Sequence, residues 1–176
     1  MFKTYKNAIS KINLSTIDKI IEDKEIPFYL TIKSALGNKT DPTFEHCVVK
    51  VKELRNNSEE INSGFYPLFK DIFDNFCFNN NIKYSEIYRC SLNLTFNINE
   101  ENNRCPIHVD HDYPHKVLLM YLNNCDPESK TVYIDNNKKE HVVIPERNKA
   151  TLCDGYSHYH YYPKHGYRIV LIYTFI

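Results

Sequence analysis

The segment HVDHD, from His108 to Asp112, places two imidazoles and two carboxylates within five residues. Residues two positions apart on a strand point to the same side, so His108 and Asp110 are expected to enter one cavity. An imidazole and a carboxylate are suitable ligands for a divalent first-row metal, and a second histidine would complete the ligand set typical of non-haem Fe(II). The segment therefore predicts part of a metal site whose remaining ligand lies elsewhere in the chain.

Candidates for that second histidine follow in DGYSHYHYYPKHGYR. His158 and His160 are two residues apart and would share one face of a strand. His165 lies near the turn before the last strand, and His141 lies on a different predicted strand. Taken singly, each is more often a surface or hydrogen-bonded histidine than a ligand, so the residue pattern leaves the choice open.

The last predicted strand, RIVLIYTF, is apolar on both faces, which predicts burial on both sides. Arg168 opens this strand, and a buried guanidinium needs an anionic partner. That partner is either an Asp or Glu of the protein or a bound carboxylate, which arginine holds in bidentate fashion. On KVLLMYLN, Val117, Leu119 and Tyr121 share a face, so the Tyr121 hydroxyl would need to donate a hydrogen bond to a backbone carbonyl or to the same bound carboxylate.

The elements that must position these residues differ between the two parts of the chain. In LSTIDKIIEDKEIP, Ser15 followed three residues later by Asp18 predicts a helix start. In FYPLFKDIFDNFCF, apolar residues recur at helical spacing, and Pro67 suits the first turn. The aromatic residues of this second helix are interpreted as core packing.

From Tyr84 onward the apolar pattern shortens toward a period of two, which predicts strands. The predicted strands are EIYRCSLNLTF, KVLLMYLN, KTVYI, EHVVIP, KATLC, SHYHYYP and RIVLIYTF, separated by the turn-forming segments NEENN, NCDPESK, DNNKK and PERN. Several short strands after a helical part favour a β-sandwich or barrel with helices packed outside one sheet. An eight-stranded jelly roll fits this number of strands.

Length and composition predict a single domain, with 1–83 as a helical or mixed support region and 84–176 as the metal-binding β core. The formal net charge is +0, and the sequence pI is about 7.1, which disfavours nucleic acid and anionic membranes as partners. We find no secretion signal and no apolar stretch of the roughly 18 residues a membrane span needs. Six scattered cysteines without a C-x-x-C pair fit reduced thiols and a cytoplasmic location.

Taken in order, these motifs resemble those of the Fe(II)/2-oxoglutarate-dependent dioxygenases, in particular the prolyl-hydroxylase-like branch, which includes small members from phages and large DNA viruses. That family has H-x-D, then a strand ending in Y-L-N, then a D-G-x-x-H turn, then an arginine that opens a final strand. This chain has HVD at 108–110, YLN at 121–123, DGYSH at 154–158, and Arg168 ten residues further on. H-x-D alone is a weak motif, but the ordered set spans about half the chain with matching spacing.

The resemblance implies a mainly β, double-stranded β-helix fold, that is, a jelly roll, with flanking N-terminal helices. It implies His108, Asp110 and His158 as the ligands of Fe(II), and it implies no catalytic residue beyond these ligands. By the same resemblance, Arg168 would hold the distal carboxylate of the cosubstrate 2-oxoglutarate. Tyr121 would hydrogen-bond that carboxylate.

Some positions match the family less well. Asn93, on the strand before H-x-D, matches a polar position of the family and would contact the metal ligands or the cosubstrate. Where many relatives carry a Gly-Gly-Glu-Thr turn, this chain has NCDPESKTVYI, and only Thr131 corresponds. His160 competes with His158 as the distal ligand, and the spacing to the D-G turn and to the arginine favours His158.

The implied activity is hydroxylation of a C–H bond of a protein side chain or small molecule, with consumption of O₂ and 2-oxoglutarate and release of succinate and CO₂. One alternative is a cupin-like jelly roll that binds a metal without using 2-oxoglutarate. Another is a catalytically inactive binding module of the same fold. The surroundings of Arg168 distinguish these cases, because an arginine that faces outward or is salt-bridged within the protein would favour the cupin-like alternative.

Overall fold

The computed structural model describes residues 1–31, 42–55, 60–98 and 103–176 of the protein. Two α-helices lie in the N-terminal half, α1 at Lys11–Glu22 and α2 at Tyr66–Asn79. A short 3₁₀ helix at Lys52–Leu54 lies between them in the chain. None of the helices in these ranges is both long and apolar enough to cross a membrane.

The start of α1 differs from the prediction. Ser10, not Ser15, caps the helix, because its hydroxyl accepts a hydrogen bond from the Asn13 amide at 3.2 Å. Ser15 lies inside the helix, so its apparent capping pattern with Asp18 was misleading. The buried residues of α1 are Ile17 and Ile20.

The second helix agrees with the prediction. Pro67 lies in the first turn of α2, where its missing N–H costs no helical hydrogen bond. The core-packing interpretation of its aromatic residues is confirmed. The buried residues of the helix are Phe69, Ile72, Phe73, Phe76 and Cys77.

All seven predicted strands are present, together with three strands of the N-terminal part. In chain order the strands are β1 Phe2–Lys6, β2 Tyr29–Thr31, β3 Thr43–Val49, β4 Ile87–Phe96, β5 Lys116–Tyr121, β6 Thr131–Ile134, β7 Glu140–Val143, β8 Lys149–Cys153, β9 Ser157–His160 and β10 Tyr167–Phe175. The first three were not predicted. The predicted turn NEENN falls mostly on 99–102, which lie outside the described residues.

The strands form a seven-stranded sheet in the order β1-β8-β5-β10-β4-β3-β2 and a three-stranded sheet in the order β7-β6-β9. Alternate residues of β5 face opposite sides of the large sheet. Leu118 and Met120 pack toward the helices, while Val117 and Leu119 pack toward the small sheet together with Tyr133 of β6. The helices therefore cover one face of the large sheet and the small sheet faces the other, which confirms the jelly-roll prediction.

The interior is apolar on both sides of the large sheet, and the prediction that β10 is buried on both faces is confirmed. No disulfide joins any of the six cysteines, all of which lie within the described residues. The space between the two sheets is the place where the candidate site lies.

Candidate metal centre

His108 and His158 face each other across a short antiparallel bridge. The His108 amide donates to the His158 carbonyl at 3.0 Å, and the His158 amide donates to the His108 carbonyl at 2.8 Å. His158 belongs to β9, whereas His108 and Asp110 precede β5 outside any regular strand. The predicted strand geometry of H-x-D therefore holds only at this bridge, and the bridge rather than a continuous strand brings the two histidines together.

The potential ligand atoms of His108, Asp110 and His158 all lie within 4.8 Å of one another. His158 Nε2 is 3.8 Å from Asp110 Oδ2. Metal–ligand bonds of about 2.0–2.2 Å bring ligand atoms to within about 3–4 Å of each other. The three side chains therefore need only a small adjustment to bind one ion.

Both imidazoles are oriented by backbone carbonyls. His108 Nδ1 is 2.9 Å from the Pro106 carbonyl, and His158 Nδ1 is 2.9 Å from the Tyr156 carbonyl. Since a carbonyl can only accept, Nδ1 carries the hydrogen in each ring and Nε2 keeps its lone pair. This is the arrangement in which a backbone carbonyl fixes the tautomer of a metal-binding histidine.

Asp110 supplies the negative charge of the group. Burial acts to raise its pKa, but interactions with His158 and with the guanidinium of Arg89 outweigh burial and hold the pKa of this carboxyl below its usual range. Its Oδ2 is shielded from solvent and has no hydrogen-bond partner among the described residues. A buried carboxylate oxygen without a partner is costly, and a bound cation would satisfy it.

Arg89 was not identified from the sequence. On β4 its Nη1 lies 3.5 Å from Asp110 Oδ1, and its Nη2 donates to Glu45 at 3.0 Å. The alternation of polar residues along β4 could have identified Arg89 from the sequence. Arg89, Asn93 and Thr95 share one face, and all three line the cavity between the sheets.

The other end of this cavity is formed around Arg168, which is only 2% exposed. Its Nη2 donates to Thr131 Oγ1 at 3.0 Å, and its Nε has no partner among the described residues. The ion pairs within the described ranges include no carboxylate that contacts this guanidinium. Arg168 is therefore a buried cation that the described protein residues do not neutralise.

Tyr121 does not line the cavity itself but contacts Thr131, which does. Its hydroxyl donates to Thr131 Oγ1 at 2.8 Å, and its ring centroid is 5.5 Å from Arg168 Cζ. Thr131 therefore faces the cavity while Tyr121 supports it from the core. Asn93 does line the cavity, and its side-chain oxygen accepts a hydrogen bond from Ser91 at 3.1 Å.

One cavity thus contains both ends of the candidate site. The three possible metal ligands and Arg168 all line it. Apolar side chains of the two central strands form the wall between them. These wall residues are Val117, Leu119, Val170 and Ile172.

The remaining histidines have different surroundings. His160 lines the same cavity but is outside the three-ligand group, with its Nδ1 3.2 Å from Cys105 Sγ. Burial, together with the nearby charge of Arg168, holds the pKa of His160 well below its usual range. His165 is exposed, and His141 pairs with Asp135 at 3.0 Å.

His115 was also missed by sequence reasoning. It is buried, and its Nδ1–H donates to the Tyr113 carbonyl at 2.8 Å. Its ring lies against Gly155, where an added Cβ would come within 2.6 Å of the ring. The D-G turn before His158 therefore needs glycine for two reasons, this contact and a φ of +56°.

Comparison with known proteins gives a clear result for the fold. No family model and no curated protein matches the sequence. Among solved structures, the chain is similar to an oxidoreductase of the 2OG-Fe(II) oxygenase family from Burkholderia pseudomallei, with 14% identity and a TM-score of 0.75 over 98% of this chain and 84% of that one. The chain has the fold of the 2OG-Fe(II) oxygenases.

Two further solved structures show how widely this fold is used. A prolyl hydroxylase from Trichoplax adhaerens, in complex with a peptide fragment of hypoxia inducible factor, is 11% identical with a TM-score of 0.69 over 99% of this chain and 83% of that one. The epimerase SnoN, in complex with Fe³⁺, alpha ketoglutarate and nogalamycin RO, is 7% identical with a TM-score of 0.67 over 99% of this chain and 78% of that one. The oxygenase fold of this chain therefore occurs in proteins that carry out different reactions.

Proposed function

We propose that the protein is an Fe(II)- and 2-oxoglutarate-dependent oxygenase that hydroxylates a C–H bond of a protein side chain or small molecule, with release of succinate and CO₂. One observation carries the proposal. A buried arginine without a carboxylate partner among the described residues lines the same cavity as a group of two histidines and one aspartate. A ligand with a metal-chelating end and a distal carboxylate fits both ends of that cavity.

The donor set fits Fe(II). His108, Asp110 and His158 provide two neutral imidazole nitrogens and one carboxylate, and such a set leaves further coordination positions open. Bound there with 2-oxoglutarate and O₂, the iron would supply the oxidising chemistry. Burial lowers the pKa of the His158 imidazole despite the nearby Asp110, which keeps Nε2 free to bind a cation near neutral pH.

The chain's own residues have positioning roles. Arg168 and Thr131 would bind the distal carboxylate of the cosubstrate through charge-assisted and neutral hydrogen bonds. Tyr121 would keep the Thr131 hydroxyl oriented, since its own hydrogen is donated to that oxygen. Arg89, which also donates to Glu45, would hold the Asp110 carboxylate in place beside the metal. The apolar wall residues would exclude water from the reacting centre.

Two features guide the choice of substrate class. The chain has a formal net charge of +0, so it offers no general attraction for nucleic acid. One structural neighbour is in complex with a peptide and another with nogalamycin RO, so both classes are compatible with the fold. We therefore propose a protein side chain or a small molecule as the substrate.

The test is release of succinate from labelled 2-oxoglutarate by Fe(II)-loaded protein, alone and with panels of proline- or lysine-containing peptides and small metabolites. The proposal predicts succinate formation that one of the panels stimulates, and one ¹⁸O atom in the product when ¹⁸O₂ is supplied. Asp110→Ala is the matched inactive control. Tight metal binding with no succinate under any condition would instead support the cupin-like alternative.

A further inference from the structure

The imidazole of His160 lines the cavity and is not used by the proposed site. It lies on β9, two residues after His158, and faces the same cavity. Directly across the small sheet it pairs with Thr131 of β6, the residue whose hydroxyl accepts from Arg168. Opposed residues of an antiparallel pair have Cβ atoms about 4.5–5.5 Å apart, so His160 adjoins the anion-binding end.

The tautomer of His160 is set by Cys105. The His160 backbone amide donates to Cys105 Sγ at 3.2 Å, and the same sulfur lies 3.2 Å from His160 Nδ1. The Cys105 amide also donates to the His160 carbonyl at 3.0 Å, which holds the two residues together. A thiol sulfur that accepts from the amide can donate its own hydrogen to Nδ1, and we take the contact in that direction. The hydrogen of the neutral ring is then on Nε2.

That Nε2–H meets no acceptor within the part of the chain that the structure describes. His160 Nε2 is shielded from solvent and has no hydrogen-bond partner among the described residues, and the same is true of Arg168 Nε. Two donors without partners therefore line one cavity beside Thr131. A carboxylate can accept several hydrogen bonds at once, so one such group would satisfy both donors.

We propose that His160 is a cosubstrate-binding residue that donates its Nε2–H to the distal carboxylate of the 2-oxo acid beside Arg168, with Cys105 holding the required tautomer. This inference rests on the proposed function. It assigns His160 to selection of a dicarboxylic 2-oxo acid rather than to metal binding. Cys105 acts only through His160 and is a positioning residue.

The test is an anaerobic binding titration of the Fe(II)-loaded full chain with 2-oxoglutarate. Binding is monitored through the visible absorption that a 2-oxo acid gives when it chelates Fe(II). Loss of one hydrogen bond to a charged group predicts an affinity about 10- to 100-fold weaker for His160→Leu, with Fe(II) affinity unchanged. His160→Gln, which keeps a donor, should recover part of the loss. Binding of pyruvate, which lacks the distal carboxylate, should be equal in all three proteins.

Variants of Cys105 test the tautomer. Cys105→Ser keeps a group that can accept from the amide and donate to Nδ1, so it should bind 2-oxoglutarate nearly as the unmodified chain does. Cys105→Ala should weaken that binding with no effect on pyruvate. His165→Ala, at an exposed position, is the control for losing an imidazole in general.

Two results would overturn the inference while leaving the proposed function intact. One is unchanged 2-oxoglutarate affinity in His160→Leu, and the other is loss of Fe(II) binding in that variant, which would make His160 a metal ligand. If the unmodified chain binds Fe(II) but no 2-oxoglutarate, the proposed function itself fails and the inference fails with it. Thermal melting of each variant separates these outcomes from misfolding, and the pyruvate titration confirms an intact metal end.

Discussion

Arg168 is the residue that most constrains what this cavity holds. A guanidinium that is 2% exposed, with one hydrogen bond to Thr131 and no carboxylate contact among the described residues, is costly to bury. The charge of several other arginines is balanced within the protein, since Arg55, Arg89 and Arg147 each contact an acidic side chain. The missing negative charge at Arg168 is therefore expected to come from a ligand.

Replacement of Arg168 tests this at the residue scale. Arg168→Lys keeps the charge but loses the planar, bidentate donor set, and we expect 2-oxoglutarate affinity to fall by about 10-fold or more. Arg168→Met should lower the affinity further, while both variants keep their affinity for Fe(II). Calorimetric titration with Mn(II) as a redox-inert substitute measures both constants, and unchanged 2-oxoglutarate binding in Arg168→Met would contradict the assignment.

His158 is tested against a matched histidine. His158→Ala should reduce metal affinity by more than the roughly 10- to 100-fold loss typical of removing a residue that only orients a ligand. His165→Ala should leave metal affinity unchanged because His165 is exposed. Equilibrium dialysis with metal analysis distinguishes the two, and equal affinity in both variants would show that the distal ligand lies elsewhere.

At the residue scale, the resemblance to the dioxygenase family implied residues that do line one cavity, namely His108, Asp110, His158 and Arg168. The residue pattern by itself left the choice of the second histidine open. Arg89 was not identified, because its function depends on lying across from Asp110, which is distant in sequence. The contact of Tyr121 through Thr131 could not be predicted either, because it depends on the distance between two strands that the sequence leaves undefined.

At the scale of elements, the turn into β9 sets the position of His158. Gly155 has a φ of +56°, and an added Cβ there would lie 2.6–2.9 Å from the atoms of the His115 ring. Gly166 also has a positive φ, of +70°, but nothing lies within 4 Å of an added Cβ. Gly64 has neither constraint. Substitutions at these three glycines therefore distinguish the cost of backbone strain from the cost of overlap between an added Cβ and a neighbouring side chain.

Alanine at each glycine gives an ordered prediction. Gly64→Ala should change the free energy of unfolding by no more than about 0.5 kcal/mol. Gly166→Ala should cost about 1–2 kcal/mol from the left-handed backbone alone. Gly155→Ala should cost about 2–5 kcal/mol, since overpacking adds about 1–3 kcal/mol, and it should also weaken metal binding. Urea unfolding of the metal-free variants measures this, and equal losses at Gly155 and Gly166 would refute the importance of the His115 contact.

The elements themselves were predictable where both faces of a strand are covered. Most of the seven strands from β4 onward have regular apolar patterns because they are largely buried. The exception is β7, an edge strand of the small sheet that is mostly exposed or half-buried. The strands β1 and β2 form the two edges of the large sheet, and their largely exposed residues leave no such pattern. The start of α1 was misplaced because two serines five residues apart both precede a suitable helical stretch, and only the observed Ser10 contact identifies the true cap.

At the scale of the whole molecule, the fold buries several neutral imidazoles. Burial is the main reason that the pKa is lowered at four histidines, which are His46, His111, His158 and His160. Their pKa values in the unfolded chain are about 6.5. As the pH falls below that value the unfolded state binds protons that the folded state does not, so stability present above about pH 6.5 is lost as the pH falls.

The metal-free protein should therefore lose stability between about pH 7.5 and pH 5.5, before the carboxylates titrate. Each imidazole that stays neutral in the folded state lowers the free energy of unfolding by about 1.4 kcal/mol for each pH unit below about 6.5. Urea unfolding at a series of pH values measures the slope. His165→Ala should show the same slope as the unmodified protein, and a flat profile over this range would contradict the neutral burial of these rings.

The central claim is that one cavity binds a metal at one end and a carboxylate at the other. A crystal structure of the protein with Mn(II) and 2-oxoglutarate tests it most directly. We predict the metal on His108, Asp110 and His158, with the distal carboxylate of the cosubstrate on Arg168 and its other end on the metal. A metal bound through other side chains, or a 2-oxoglutarate molecule that does not contact Arg168, would contradict the account.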